Sequence, residues 1–242
     1  MHLLLHFPLT KPSLLALNQN CPDEIIKKIP LFALTELLLH HIFAVGKIKL
    51  TPKGNLPIAI CEMLYQSKEL NFTYKILIKK ITEDDVPYIW VIKDYLLVER
   101  LIKKRNNVLT ITQNGEKYLL KNKIDCLSQL ILFFTRRINW INFHHNGEDV
   151  TGKLGWAYSL YLLKKYGAET RDSEFYFNKI MDAFGSEDPG ITLDFKRAYD
   201  LRFFNYFCNW FGFAIDEQKD TRSSLYINPK IRKTELLDQL FV

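Results

Sequence analysis

Two pairs of neighbouring histidines are the side chains of this sequence best suited to metal binding. His40 and His41 are adjacent, as are His144 and His145. Adjacent side chains on a helix point about 100° apart, so each pair could supply one ligand at most. Neither pair has an acidic or thiolate partner at ligand spacing. The sequence therefore predicts neither a metal centre nor a cofactor.

An acidic trio, Glu83, Asp84 and Asp85, could in principle supply acid and base groups for catalysis. These residues directly precede an apolar helical pattern, where carboxylates are favoured by the helix dipole. Thr82 and Asp85 also have the spacing of a capping box. The trio is therefore interpreted as a helix N-terminus. The sequence contains no phosphate-binding glycine loop, nucleophile elbow or HExxH motif, so we expect no enzyme.

Basic residues are concentrated in one third of the chain. Residues 47–123 contain 15 Lys or Arg and 8 Asp or Glu, a net charge of +7, whereas the remaining residues have a net charge of −1. A local excess of basic residues is typical of proteins that bind nucleic acid. A solvated lysine-rich surface is the alternative interpretation.

A predicted β-hairpin lies at the centre of this basic region. Residues 101–105 and 108–112 are short β-prone runs, and Asn106 and Asn107 between them tolerate the left-handed backbone of a tight turn. We expect the basic residues on and beside the hairpin to contact phosphates. These candidates are Lys79, Lys80, Lys103, Lys104, Arg105, Lys117 and Lys121.

Helical patterns surround the hairpin in the first half of the chain. We expect helices from residue 24 to 29, from Pro30 to a stop at Gly46, from 57 to 68, from 85 to 98, and from 115 to 120 after a Thr112 cap. Residues 47–51 alternate as a strand does. Residues 71–80 fit a strand and a helix equally well.

A short repeat connects two parts of this region. Leu50-Thr51-Pro52-Lys53-Gly54 matches Ile111-Thr112-Gln113-Asn114-Gly115 as a Thr-x-x-Gly pattern. Each copy follows a strand and precedes a helix, and each is preceded by an apolar helix. The shared context favours two related structural units.

The second half of the sequence is predicted to be mostly helical. Four helices are expected, at residues 128–143, 151–166, 173–184 and 193–211. The segments 212–216 and 223–228 then fit a second hairpin, which a helix at 234–240 follows.

The segment from Asn71 to Leu120 resembles a winged-helix domain of the kind found in bacterial MarR-like and PadR-like regulators, whose wing commonly ends in Leu-Thr-x-x-Gly. The form LTPKGNLP at residues 50–57 is similar to a motif in uncharacterised bacterial proteins of similar length. The resemblance implies an α+β, mainly α fold with tandem winged-helix units and a bacterial, cytosolic setting.

The implied organisation has two domains. A tandem winged-helix region covers residues 1–124, with a first unit at about 23–56 and a second at about 57–124. A helical domain covers residues 125–242, and its end is interpreted as a degenerate third winged helix.

The helix before a wing usually enters the major groove, so its exposed face needs basic or amide side chains. In the predicted helix 85–98 the only base is Lys93, with Asp85 and Asp94 beside it. The helix of the first copy has none. We therefore expect contact with phosphates through the wing rather than recognition of bases.

Composition favours a compact protein of the cytoplasm. Hydrophobic residues make up 48% of the 242 residues, enough to bury a sizeable core. The four cysteines are widely spaced within apolar runs, which indicates buried, reduced thiols. No stretch reaches the length of an uncharged membrane span.

Two functional hypotheses follow. The first is a regulator that binds double-stranded DNA through its basic wing. The second is a protein-interaction or self-association module on a winged-helix scaffold, without DNA binding. The second predicts aromatic surface in the monomer around Trp90, Trp140, Trp156 and Trp210.

Overall fold

A computed structural model describes residues 15–70, 80–140, 143, 156–184, 195–218 and 228–242. These residues are mainly helical and contain two small three-stranded antiparallel sheets, which confirms the α+β, mainly α class. The chain forms two compact units. We call Lys27–Leu130 the central unit, and Met1–Ile26 together with Ile131–Val242 the terminal unit.

The first described helix, α1 (Asp23–Ile26), belongs to the terminal unit. The central unit then follows the order helix, strand, helix, helix, two strands, helix. Its elements are α2 (Pro30–Val45), β1 (Ile48–Lys49), α3 (Ile58–Gln66), α4 (Pro87–Val98), β2 (Ile102–Arg105), β3 (Val108–Ile111) and α5 (Gln113–Leu119). Helix α6 (Lys123–Arg136) begins in this unit and ends in the terminal unit.

Helix α2 is the central core helix. It begins at Pro30, whose fixed φ suits a first helical turn, and ends where Gly46 takes a φ of 75°. Phe32, Leu38 and Ile42 on this helix are fully buried. The helix packs against α4, α5 and β3, as its apolar composition predicts.

The sheet of the central unit has the order β1-β3-β2. Strands β2 and β3 form the predicted hairpin, in which Asn106 and Asn107 have φ values of 50° and 59°. Strand β1 pairs with β3 through Ile48 opposite Leu109. Both of these side chains are buried, so this face of the sheet packs on the helices.

The pairing of β1 with β3 bears on the predicted tandem. The sequence predicts tandem winged-helix units at about 23–56 and about 57–124. Ile48 and Lys49, from the first of these segments, add the third strand to the sheet built by the hairpin. The two segments therefore share one sheet, inside the compact unit Lys27–Leu130.

From α7 onward, the described elements of the terminal unit repeat the same order. They are α7 (Trp156–Tyr166), β4 (Arg171–Asp172), α8 (Ser173–Phe184), α9 (195–211), β5 (Ala214–Asp216), β6 (Lys230–Lys233) and α10 (Glu235–Leu240). The sheet order, β4-β6-β5, is also the same. Helix α9 has π-helical geometry over Asp200–Cys208.

Aromatic rings fill the core of the terminal unit. Trp140 and Trp156 lie with ring centroids 4.9 Å apart, and Trp156 lies 5.2 Å from Phe207. Trp140, Trp156 and Trp210 are each at most 4% exposed. The prediction of aromatic surface around these three tryptophans is therefore wrong, because their rings pack among other aromatic rings of this core. Trp90, in the central unit, is half-buried.

Two predicted elements differ in position. The helix expected at 128–143 runs instead from Lys123 to Arg136, because the Asn122 side chain accepts a hydrogen bond from the Ile124 amide (3.2 Å) and starts the helix earlier. A domain boundary between residues 124 and 125 would therefore lie within α6. The second strand of the later hairpin is Lys230–Lys233 rather than 223–228, a segment that lies outside the described residues except for Asn228.

Candidate nucleic-acid interface

The three predicted wing cations, Lys103, Lys104 and Arg105, all lie on β2 and are exposed. Strand alternation divides them between the two faces of the sheet. Lys103 and Arg105 lie opposite Thr110 and Val108, on the outer face. Lys104 lies opposite the buried Leu109 and thus belongs to the inner face, at the edge of the sheet.

Strand β1 adds a base to the outer face. Lys49 pairs with Val108, which also pairs with Arg105, so the three residues form one row across the sheet. Strand spacing places Lys49 and Arg105 about 10 Å apart in this row, and Lys103 lies about 7 Å from Arg105 along β2. We call Lys49, Lys103 and Arg105 the outer basic face.

No acidic residue lies on the three strands that carry this face. Strands β1, β2 and β3 contain four bases and no Asp or Glu. Lys47 and Lys53, just before and after β1, are exposed as well. Lys47, Lys49 and Lys53 are not among the candidates that the sequence predicts, because only the pairing of β1 with β3 brings them to the hairpin. Their alternation with Ile48 and Leu50 was the available signal.

Hydrogen bonds fasten the tip of the hairpin to the first Thr-x-x-Gly segment. The Asn107 side-chain amide donates to the Thr51 carbonyl (2.6 Å) and to the Leu50 carbonyl (3.3 Å). The Lys104 ammonium lies against Gly54, where a Cβ would approach Nζ to 2.7 Å. The hairpin is therefore held in position from the side of its inner face.

The only base of α4 is not directed to solvent. Lys93 forms an ion pair with Glu83 and donates to the Gly54 carbonyl (3.1 Å). Glu83 is 3% exposed and also accepts a hydrogen bond from the Leu56 amide (2.6 Å). Because these internal contacts engage its charge, Lys93 is poorly placed to bind phosphate or a base edge.

The other two acids of the trio also have local structural partners. Asp84 accepts a hydrogen bond from the Asn55 side-chain amide (3.0 Å). Asp85 accepts one from the Thr82 backbone amide (2.9 Å), as the capping-box spacing predicts. A 3-10 turn at Glu83–Asp85 thus joins the first Thr-x-x-Gly segment to the start of α4.

Lys117 and Lys121 are exposed but line a different feature. They border a cavity of about 380 Å³ in the central unit, together with Glu99, Leu101, Asn114, Tyr118 and Gln129. Glu99 accepts a hydrogen bond from the Gln129 side chain (2.8 Å), so a carboxylate stands in the same wall as the two lysines. Burial raises the pKa of Tyr118, which remains neutral at ordinary pH.

The remaining candidates flank the hairpin in sequence. Lys80 is exposed, and Lys79 lies outside the described residues. The structure therefore brings Lys103 and Arg105 together on one face, places Lys104 at the edge and groups Lys117 with Lys121 at the cavity.

The part of the chain that the structure describes shows no cluster of metal ligands and no membrane-spanning helix. No three His, Cys, Asp or Glu side chains cluster there as metal ligands would. His40 and His41 lie on α2, and His144 and His145 lie outside the described residues. No described helix combines the length and hydrophobicity needed to cross a bilayer. All four cysteines are buried free thiols, as predicted.

Comparison of the chain with protein families, curated proteins and solved structures yields no match.

Proposed function

We propose that the central unit is a winged-helix unit that binds double-stranded nucleic acid through the phosphates, and that the chain acts as a cytoplasmic regulator rather than an enzyme. The observation that carries this proposal is the outer basic face, on three strands that hold no acid. The order helix, strand, helix, helix, hairpin is that of a winged helix with a single wing.

Contact through phosphates is favoured over recognition of bases. A reading helix needs free donors that reach base edges, and the single base of α4 is engaged by Glu83. Lys49, Lys103 and Arg105 can instead neutralise phosphates, which supplies affinity without sequence preference.

A double helix is favoured over a single strand. Proteins that bind single strands stack bases on aromatic side chains. The outer face carries Val108 and Thr110 between its bases, and strands β1 to β3 contain no aromatic residue. This face therefore suits the regularly spaced phosphates of a duplex.

The test compares two charge reversals in the full chain. Lys103→Glu with Arg105→Glu should weaken binding of a fluorescently labelled DNA duplex. The negative slope of log K against log salt should become less steep by about 2, since each lost phosphate contact releases about one counterion fewer. Lys27→Glu with Lys28→Glu makes the same change in net charge at exposed residues outside the strands of the sheet, and should have a much smaller effect. Equal binding by the wing variant and the unchanged chain would refute the proposal.

Self-association is the second candidate, and exposed apolar side chains favour it. Leu120 is 90% exposed and Phe43 is 53% exposed, and both belong to the central unit. Paired subunits would cover such side chains. Sedimentation velocity should then show a dimer that Leu120→Ser with Phe43→Ser converts to monomer, whereas a monomer at all concentrations would contradict this candidate.

A further inference from the structure

The terminal unit contains a residue-by-residue counterpart of the wing. In the central unit, Ile102 pairs with Ile111 at the base of the hairpin, and in the terminal unit Ala214 pairs with Lys233 in the same way. Strands β1 and β4, which add the third strand to each sheet, also pair at equivalent positions. Lys49 pairs with Val108, and Asp172 pairs with Lys230.

Hydrogen bonds at the base of each hairpin confirm this alignment. The Thr112 amide donates to the Leu101 carbonyl, and the Thr234 amide donates to the Phe213 carbonyl, each at 3.0 Å. The Leu101 and Phe213 amides each donate to a carbonyl five residues earlier in the preceding helix, both at 2.8 Å. The two hairpins are therefore equivalent by backbone geometry as well as by element order.

The basic positions of the first wing are acidic or apolar in the second. Asp172 stands at the place of Lys49. Along the first hairpin strand the four residues Ile102, Lys103, Lys104 and Arg105 correspond to Ala214, Ile215, Asp216 and Glu217. The last correspondence holds because the Glu217 amide donates to the Lys230 carbonyl (2.9 Å), just as Arg105 pairs with Val108.

The second sheet carries four bases, Arg171, Lys230, Arg232 and Lys233. Lys230 lies between Asp172 and Glu217 in its row across the sheet. The other three bases are engaged by nearby groups. Arg232 forms an ion pair with Glu217, and this contact, with a hydrogen bond from Thr170, lowers the pKa of the Glu217 carboxyl. Lys233 binds Asp238 (2.8 Å) and the Lys164 carbonyl (3.0 Å).

Arg171 is engaged as well. Its guanidinium forms an ion pair with Glu169 (2.8 Å) and lies over the Phe175 ring, 4.6 Å from the centroid. By contrast, strands β1 to β3 offer no carboxylate to the bases of the outer basic face.

We propose that the chain contains two copies of one winged fold but a single duplex-binding site, on the central unit, and that Asp172 and Glu217 close the equivalent face of the terminal unit to nucleic acid. This inference rests on the proposed function of the central unit. Acids at the positions of Lys49 and Arg105 would face phosphates and repel them. Each chain then binds one duplex on one face.

The first test neutralises matched pairs in the full chain and uses a labelled blunt DNA duplex of mixed sequence. Lys103→Gln with Arg105→Gln should lower affinity at least about tenfold near 0.1 M salt, because two phosphate contacts are lost. Lys230→Gln with Arg232→Gln should change affinity less than about twofold, and titration should saturate at one duplex per chain. Equal losses from the two pairs, or two duplexes per chain, would overturn the inference while leaving the proposed function intact. Failure of the unchanged chain to bind would instead refute the proposed function.

A gain-of-function variant tests the electrostatic cause. Asp172→Lys, Ile215→Lys and Glu217→Arg place bases at the three positions equivalent to the outer basic face. Combined with Lys103→Gln and Arg105→Gln, these changes should restore salt-dependent duplex binding. Circular dichroism and thermal melting identify a folded variant, and a folded variant that does not regain binding would overturn the inference.

Discussion

At the scale of single residues, Gly54 and Gly115 occupy the same place in the two Thr-x-x-Gly segments for different physical reasons. Gly54 has a φ of 85° in a tight turn, where its amide donates to the Thr51 carbonyl (2.8 Å). Gly115 lies in α5, whose N-terminus is capped by the Thr112 hydroxyl (3.1 Å). The two segments that match in sequence therefore differ in structure, since Thr51 and Gly54 form a turn and Thr112 caps a helix. The residue structurally equivalent to Thr112 is Thr234.

Gly115 permits the close approach of α5 to the base of the hairpin. A Cβ at this position would lie 2.1 Å from the Leu101 carbonyl oxygen, which is backbone and cannot move aside freely. We expect Gly115→Ala to lower the free energy of unfolding by about 3 kcal/mol, as overpacking does. Denaturant unfolding measures this change.

Gly46→Ala is the matched control for Gly115→Ala. No atom lies within 4 Å of a Cβ there, but φ is 75°, so only backbone strain of about 1 kcal/mol is expected. Equal effects of the two substitutions would contradict the role assigned to Gly115.

At the scale of elements, the hairpin turn combines a local conformational preference with a distant contact. Asn106 and Asn107 both have positive φ, which Asn tolerates and Gly adopts without strain. Only Asn107 also bonds to the segment after β1, through the Leu50 and Thr51 carbonyls. Asn106 thus supports the turn through its backbone conformation alone, whereas Asn107 also fixes the hairpin to a distant segment.

Substitution by glycine preserves the backbone conformation of the turn but removes the side-chain hydrogen bonds, so it distinguishes the two contributions. We expect Asn106→Gly to change the free energy of unfolding by less than about 0.5 kcal/mol, since backbone conformation is preserved. Asn107→Gly should cost about 1 kcal/mol or more through the lost hydrogen bonds. Urea unfolding of both variants provides the measurement, and a cost that is no larger at Asn107 would show that these bonds do not stabilise the unit.

At the scale of the whole molecule, buried ionisable groups make stability sensitive to alkaline pH. Burial raises the pKa of the Cys61 thiol to about 12, from an ordinary value of 9.0, and raises the pKa of Tyr88 to about 12. Between about pH 9 and pH 12 the Cys61 thiol loses its proton in the unfolded chain but keeps it in the folded chain. The folded state then binds more protons, so its stability falls as pH rises above about 9.

Cys61→Ala should reduce this dependence. Each group of this kind removes up to about 1.4 kcal/mol per pH unit within its window. We therefore expect the variant, although less stable at neutral pH, to lose less stability than the unchanged chain between about pH 9 and pH 11. The denaturant midpoint as a function of pH reports the difference, and parallel curves for the two proteins would contradict the assignment to Cys61.

Local signals in the sequence determined the end of α2, the cap of α5, the hairpin and the fold class. Gly46, the Asn106-Asn107 turn and the Thr112 cap each act through the backbone of a few neighbouring residues, so their patterns are readable without tertiary information. The basic excess around the hairpin was likewise visible from composition.

Only the tertiary structure decided which residues meet. The pairing of Ile48 with Leu109 joins strands about sixty residues apart, and it brings Lys49 to the hairpin and places strands from both predicted units in one sheet. Burial of Glu83 beside Lys93 removes the only base of α4 from solvent. Such pairings depend on packing between distant segments, which sequence periodicity does not encode. They also distinguish the outer basic face of the central unit from the equivalent face of the terminal unit, where Asp172 and Glu217 stand at the positions of Lys49 and Arg105.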